Sequence, residues 1–160
     1  MKSFTAIFTA GLLVIASLFG GQALSGDYAK QKVVYHINYD NPKQQAGALR
    51  NIQNHINAVG AENLELRVVL HGNGLAMLLD PEALERLTKF KNANANDDMT
   101  AKVSNLKDQG VSFHVCANTV RGRKVDVETD LYDVDKDDIV PSGVAEVAAL
   151  QQQGFVYIKP

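Results

Sequence analysis

The sequence predicts a single α/β domain in which a mainly parallel sheet is covered by helices on both faces. Strand-like and helix-like segments alternate along the chain, and the strand-like segments are almost continuously apolar. Strands of parallel sheets are buried on both faces, so they lack the alternation of apolar and polar residues seen in half-exposed strands. The length of 160 residues suits one domain with one core.

The first strand and helix are predicted by β-branched residues followed by a capping signal. Residues 32–38 are rich in β-branched and aromatic side chains, which favour a strand. Asn41 can cap a helix that begins at Pro42, the position where proline costs least, and Gly60 can end it. Apolar residues recur at spacings of three and four along this helix, at Ala46, Leu49, Ile52, Ile56 and Val59.

The middle of the chain predicts a second strand and a second helix. Residues 64–70 form an apolar strand-like run, and a short apolar piece follows at 75–79. Asp80 followed by Pro81 is typical of a helix start, so we expect a helix over 82–91. Residues 92–98 are polar and rich in asparagine, which predicts an exposed loop.

A further helix and the third strand come next. The helix is expected from about residue 98 to residue 109, where Gly110 ends it. The third strand covers residues 111–115 and leads directly into Cys116.

The last part of the chain is less regular. Residues 125–138 are acidic, and their spacing does not match a calcium loop, so we interpret them as a solvated face. Residues 139–141 predict a short buried strand. Ser142 begins a last helix that Gly154 ends, and residues 155–158 form the final strand.

The amino terminus predicts export. Residues 1–25 combine a basic Lys2, an apolar stretch and small residues ending at Ser25, which together are typical of a cleaved signal peptide. A retained membrane anchor is the alternative, because the apolar stretch is only slightly shorter than a membrane span. We therefore expect a mature domain over residues 26–160, periplasmic or secreted, with no membrane contact after cleavage.

Charge excludes one class of partner. The net charge is −2, and the basic residues are spread along the chain apart from a small group at Arg121, Arg123 and Lys124. Nucleic-acid binding needs a basic footprint. No nucleic-acid partner is therefore expected.

The chain contains one cysteine, Cys116. Exported proteins usually carry cysteines in pairs, because an oxidising compartment turns them into disulfides. An unpaired cysteine is either an inert buried residue, a thiol that pairs between chains, or a thiol kept for chemistry.

Polar groups follow three of the predicted strands. Ligands of open parallel sheets bind at the carboxyl ends of the strands, so we expect these groups to lie at one edge and to form a site. They are His36 and Asn38 after the first strand, His71, Gly72, Asn73 and Gly74 after the second, and Cys116 after the third.

The surroundings of Cys116 predict an activated thiol. His114 lies on the same face of the strand, about 7 Å from Cys116 at the backbone. Residues 117–121 can begin a helical turn whose N–H groups stabilise a thiolate, and Arg121 and Arg123 add positive charge. We therefore take Cys116, His114 and Arg121 as candidate catalytic residues, and Arg123 with the other strand-end groups as binding residues.

Other histidine-based sites are weaker hypotheses. His36 and His71 with Cys116 could bind zinc or copper, but they show no metal-binding spacing, so no metal is predicted. The segment 71–74 lacks the lysine of a phosphate loop. His55 lies on the first helix and is expected at the surface.

The segment 110–124, GVSFHVCANTVRGRK, resembles the DsrE/DsrF-like family, in which a Gly-Val strand leads into a cysteine followed by small residues and an arginine-glycine turn. The resemblance continues in residues 68–74 and 143–160, and it spans about residues 32–160. It implies a flavodoxin-like three-layer fold that assembles into dimers, trimers or hexamers. In the sulfur-relay members, the cysteine that aligns with Cys116 carries a persulfide. The export signal and the longer acidic segment depart from those members.

Two functions remain open on the sequence. In the first, the protein is a periplasmic sulfur carrier or sulfurtransferase-like protein that holds sulfane sulfur on Cys116, without a cofactor, and exchanges it with a thiol or persulfide protein or a small sulfur compound. In the second, it is a non-catalytic homo-oligomeric binding module, and Cys116 is structural. A trimer or hexamer is expected in both cases.

Overall fold

The computed structural model describes residues 28–160, so the predicted signal peptide at 1–25 and the domain boundary at residue 26 lie outside the described residues. Five parallel strands form one sheet in the order β4-β3-β2-β1-β5. The strands are β1 (Gln31–Ile37), β2 (Leu64–Leu70), β3 (Ser112–Cys116), β4 (Ile139–Val140) and β5 (Val156–Ile158). The helices are α1 (Pro42–Val59), α2 (Asp97–Asp108), α3 (Ala117–Arg123), α4 (Val127–Asp130) and α5 (Gly143–Gln152). The predicted α/β class with a parallel sheet is confirmed.

The first helix follows its sequence signals closely. The Asn41 side chain accepts a hydrogen bond from the Gln44 N–H at 3.0 Å, and Pro42 is the first helical residue. Gly60 ends the helix with a positive φ of 88°, which favours glycine. The buried face carries Leu49, Ile52, Ile56 and Val59, as the apolar spacing predicted.

The two faces of the sheet are covered unequally. One face packs against α1, α2 and the segments between β2 and β4, and its core includes Val33, Val68 and Phe113. The other face has a small separate core, in which α5 covers the central strands. Its members are Val34, Val69, Val147, Leu150 and Phe155. Helices on both faces are thus confirmed, and α5 is the element that brings new groups to the second face.

The prediction of a helix over residues 82–91 is wrong. Only a short 3-10 helix forms, over Pro81–Glu85, and the chain then continues as turns. Ala83, Leu87 and Phe90 are buried at helical spacing, which explains the misleading pattern. Backbone groups of a short segment follow tertiary contacts rather than helix propensity. Here the Lys89 carbonyl accepts a hydrogen bond from Arg123, at 3.3 Å.

The polar segment 92–98 is not a simple exposed loop. Asn94 is 5% exposed. Its amide donates to the Asp40 carbonyl at 2.9 Å and to Gln45 Oε1 at 2.8 Å. A buried amide with these partners is satisfied, so asparagine is here a core-anchoring residue rather than a sign of exposure.

The acidic region is not wholly solvated either. Asp130 is buried and forms an ion pair with Arg86, Oδ2 to Nη2, at 2.5 Å. Burial acts to raise the pKa of the Asp130 carboxyl, but the Arg86 hydrogen bond and the Asp126 N–H outweigh it and the pKa is lowered. The pattern of charges in the sequence did not indicate that Arg86 pairs with Asp130, because the two residues are far apart in the chain.

None of the helices within residues 28–160 has both the length and the apolar character needed to cross a bilayer.

Candidate functional site

The carboxyl ends of β1, β2 and β3 meet at one edge of the sheet, where the first turn of α5 approaches them. A Cβ atom at Gly143 would lie 2.9 Å from the Cβ of His71 and 3.2 Å from the Cβ of Cys116. Such contacts are too close for a side chain. The glycine therefore allows the start of α5 to touch the ends of β2 and β3 together.

Cys116 is the last residue of β3 and immediately precedes α3. It is 5% exposed. Burial acts to raise the pKa of its thiol, but the N–H groups of Gly143, Thr119 and Asn118 and the Thr119 hydroxyl outweigh burial, and the pKa is lowered. The sulfur forms no regular helix cap, so these groups act by electrostatic stabilisation of the thiolate.

The thiol lies at an open, shallow pocket of about 440 Å³. Its walls come from the loop after β2, from α3, from the turn that contains Lys89 and from the start of α5. Lys89 and Arg123 are its charged residues, and Ser142 and Thr119 supply hydroxyl groups. The arrangement can therefore present a nucleophilic sulfur to a small polar molecule.

The loop 71–74 is tied to α3 by direct hydrogen bonds. The Gly72 N–H donates to the Thr119 hydroxyl oxygen at 2.8 Å, and Gly72 has a φ of 56°, which favours glycine. Arg123 Nη2 donates to Asn73 Oδ1 at 2.7 Å. A Cβ at Gly74 would lie 2.0 Å from the Ile37 carbonyl oxygen. Gly72, Asn73 and Gly74 thus hold the pocket wall in place.

His36 and His71 stack on each other beside the pocket. Their ring centroids are 4.7 Å apart with the planes at 19°, and His36 Nδ1 is 2.9 Å from the Tyr157 hydroxyl. Within residues 28–160, the Nε2 atoms of both rings are buried without a hydrogen-bond partner. Burial, with His71 and Lys159 nearby, lowers the pKa of His36 to about 4. Burial and Lys159 also lower the pKa of His71, so both rings are neutral at pH 7.

Three other predicted residues are not brought to the pocket. His114 Nδ1 lies 2.9 Å from Glu146 Oε1 of α5. Arg121 is exposed and donates to Asn118 Oδ1 at 2.5 Å. Asn38 is also exposed, and its side chain accepts a hydrogen bond from Lys159. Neither Arg121 nor Arg123 is among the groups that shift the pKa of Cys116. The functional roles expected of His114, Arg121 and Asn38 stay predictions.

Sequence reasoning missed Thr119, Gly143 and Lys89 as residues of the site. Thr119 occupies the third helical position after Cys116, where capping rules would have suggested an N–H and a hydroxyl near the sulfur. Gly143 follows the capping Ser142, whose hydroxyl accepts from the Ala145 N–H at 3.4 Å. No local signal marked Gly143 as a thiol partner. Lys89 was missed because the sequence placed it in a predicted helix, whereas it lies in a turn that reaches the pocket.

Two histidine hypotheses can be compared with the structure. His55 is half-buried rather than at the surface. Its ring is hydrogen-bonded on both sides: Nδ1 lies 3.0 Å from the Tyr35 hydroxyl, and Nε2 lies 2.8 Å from Gln31 Oε1. In the part of the chain that the structure describes, no group of three or more histidine, cysteine or acidic side chains is placed to hold a metal ion.

We predict that Gly143→Ala raises the pKa of Cys116. The added methyl would push the start of α5 away from the sulfur and remove one N–H group from the thiolate. One such interaction contributes about 0.5–1.5 kcal/mol, which corresponds to roughly 0.4–1 pKa unit. The pH dependence of the iodoacetamide reaction rate measures the pKa. Gly47→Ala in α1 is the matched control, because its Cβ meets nothing nearer than the Arg50 guanidinium at 4.0 Å. Coincident pH profiles for Gly143→Ala and wild type would contradict the assignment.

We also predict that acid destabilises the fold through the stacked histidines. The pKa of His36 is about 4 in the folded protein and about 6.5 in an unfolded chain. Between these values the unfolded chain binds the proton and the folded protein does not, so the free energy of unfolding falls as the pH drops below about 6.5. Urea unfolding at pH 7 and pH 5 measures this loss. His36→Gln should show a smaller loss than wild type, and parallel losses would show that His36 is not responsible.

Comparison with known proteins agrees with this architecture. The family model described as the DsrE/DsrF-like family matches residues 32–160. A solved structure of a protein of unknown function, MTH1491 from Methanobacterium thermoautotrophicum, is 28% identical with a TM-score of 0.64, and the match covers 82% of this chain and 100% of that one. No curated protein matches the sequence significantly. Because the family model covers the sheet, the helices and the whole thiol pocket, the chain belongs to the DsrE/DsrF-like family.

Proposed function

We propose that the protein is a periplasmic sulfur carrier, of sulfurtransferase-like chemistry, that holds sulfane sulfur as a persulfide on Cys116. Membership of the DsrE/DsrF-like family suggests a sulfur-relay-like role. The observation that supports Cys116 as the carrier is the set of N–H groups from Gly143, Thr119 and Asn118 that lowers the pKa of its thiol. A larger thiolate fraction at neutral pH makes the sulfur a better nucleophile.

The proposed reaction is a displacement at sulfur. The Cys116 thiolate attacks the sulfane sulfur of a donor, a new S–S bond forms, and the donor leaves with the electron pair of its old S–S bond. An acceptor thiolate then attacks the outer sulfur of the persulfide and regenerates the Cys116 thiolate. The sulfane sulfur moves between thiolates without net oxidation or reduction, so the exchange needs no oxidant or cofactor.

One observation favours the alternative function. Cys116 is only 5% exposed, and buried cysteines are commonly inert core residues. A non-catalytic homo-oligomeric binding module with a structural cysteine would show the same exposure. The two functions differ in whether the thiol reacts in the folded protein.

We predict that Cys116 gains one sulfur atom when the folded protein meets a sulfane-sulfur donor. Intact-mass analysis after incubation with polysulfide, without denaturant, measures the gain, and dithiothreitol should reverse it. Cys116→Ser should abolish the gain and keep the unfolding midpoint close to that of wild type, because a hydroxyl is close in size to a thiol. Modification that occurs only in urea would favour the binding module.

Export is the second part of the proposal, and it is supported by the sequence pattern of residues 1–25. We predict a mature protein that begins near Gly26. Amino-terminal sequencing of protein from the native host measures this start. A full-length cytosolic protein would refute the export proposal.

Assembly is the third part. We propose a symmetric trimer or hexamer, as the family suggests, with a thiol or persulfide protein or a small sulfur compound as the exchange partner. Symmetric assemblies commonly place copies of a site near a shared interface. The proposed exchange involves neither nucleic acid nor a membrane.

A further inference from the structure

We propose that the pocket at Cys116 binds a small anionic sulfane-sulfur compound through Lys89 and Arg123, and that this anion is the direct sulfur donor. The inference rests on the proposed sulfur-carrier function and adds the chemical class of its substrate. The observation that supports it is the positive charge of Lys89 and Arg123 in the pocket lining.

The pocket carries positive charge without a balancing carboxylate. Lys89 and Arg123 line it, and none of its lining residues is acidic. Neither cation forms an ion pair with the described residues. The acidic group that acts on the pKa of Arg123 is Asp40, which lies outside the pocket lining and beyond ion-pair distance. An anion in the pocket would supply the missing counter-charge.

Arg123 is held in a fixed position. Its Nη2 donates to Asn73 Oδ1 at 2.7 Å, and its guanidinium lies over the Phe90 ring with 4.4 Å to the centroid. Burial lowers the pKa of Arg123, but a guanidinium stays charged at neutral pH. A guanidinium has five N–H donors, so the two bonds to Asn73 and the Lys89 carbonyl leave donors for a ligand.

Lys89 completes the positive wall. Its ammonium group donates to the Gly122 carbonyl of α3 at 2.5 Å, which places it beside the same helix as Arg123. An ammonium group has three donors, so two remain for a ligand. Lysine and arginine together suit a compact oxyanion, because arginine binds it in a planar fork and lysine acts as a point charge.

The positive charge of the pocket would reduce the electrostatic repulsion between the two reactants. A thiolate and an anionic donor repel each other as they approach, which disfavours the encounter. Two cations that line the same pocket as Cys116 would offset this repulsion and also hold the leaving anion. A neutral sulfane-sulfur donor would not need them.

Thiosulfate illustrates the balanced step. The Cys116 thiolate attacks its outer sulfur, the S–S bond of thiosulfate breaks, and sulfite leaves with the electron pair. Lys89 and Arg123 would contact the sulfonate oxygens, which become those of sulfite. No oxidant or reductant is consumed.

The test measures charge preference independently of sulfur transfer. Iodoacetate and iodoacetamide alkylate the same thiolate, but only iodoacetate is an anion, so the ratio of their rates cancels the thiolate fraction. We expect the ratio for folded wild type to exceed that of the urea-unfolded protein by at least about threefold. Lys89→Gln and Arg123→Gln should each bring the ratio towards the unfolded value, and added thiosulfate should slow the alkylation of wild type. Added salt should lower the preference, because it screens exposed charges.

The controls separate a pocket effect from general charge and from misfolding. Lys91→Gln removes the same charge from an exposed position two residues after Lys89, and it should leave the ratio unchanged. Arg123→Lys keeps the charge if Arg123→Gln fails to fold. A wild-type ratio equal to the unfolded one, or an equal drop in Lys91→Gln, would overturn the anion site.

The two proposals can fail separately. A clear charge preference without any sulfur gain would refute the sulfur-carrier function and keep an anion pocket. A sulfur gain from thiosulfate whose rate is the same in wild type, Lys89→Gln and Arg123→Gln, with no charge preference in the alkylation, would keep the carrier function and refute the anion site.

Discussion

The site depends on the close contact between the start of α5 and the ends of β2 and β3. The contact exists because residue 143 has no side chain: a Cβ there would lie 2.9 Å from His71 Cβ and 3.2 Å from Cys116 Cβ. Through this contact one helix brings an N–H group to the sulfur, covers the second face of the sheet and forms part of the pocket wall. A larger residue would have to displace the helix and would affect all three features together.

Two opposed effects determine the pKa of the Cys116 thiol. Burial alone would keep Cys116 protonated and unreactive, as in an ordinary core cysteine. The N–H groups of Gly143, Thr119 and Asn118 reverse the direction of the pKa shift. The stacked His36 and His71 show the other outcome. Among the described residues no opposite charge compensates their burial, and Lys159 adds to its effect, so both rings stay neutral. One edge of the sheet therefore combines an ionisable thiol with two uncharged rings.

The sequence predicted the parts of the structure that local rules control. Asn41, Pro42 and Gly60 set the bounds of α1, and the apolar runs predicted the parallel strands. The strand-end rule placed His36, His71 and Cys116 at one edge, which they share. The contacts that shape the site join residues far apart in the chain, and no local pattern marks such contacts.

Two examples show why the remaining features were not predictable. His114 was expected to act on the sulfur two residues away, but its ring nitrogen lies 2.9 Å from Glu146 on a helix that the sequence could not orient. Asp130 looked like one more solvated acid, but Arg86 from a distant turn pairs with it. In both cases a partner distant in sequence decides the environment of a charged or titratable group.

The sheet order also has a consequence for folding kinetics. Strands β1 to β4 add side by side in chain order, whereas β5 must return past them to pair with β1. Contacts of high sequence separation form late, because closing the long loop costs entropy before the contact rewards it. Helix α5, which delivers Gly143 to Cys116, lies on the crossover between β4 and β5. In a chain whose last crossover has not yet docked, the Gly143 N–H is missing from the surroundings of Cys116, so part of the lowering of the thiol pKa depends on that docking.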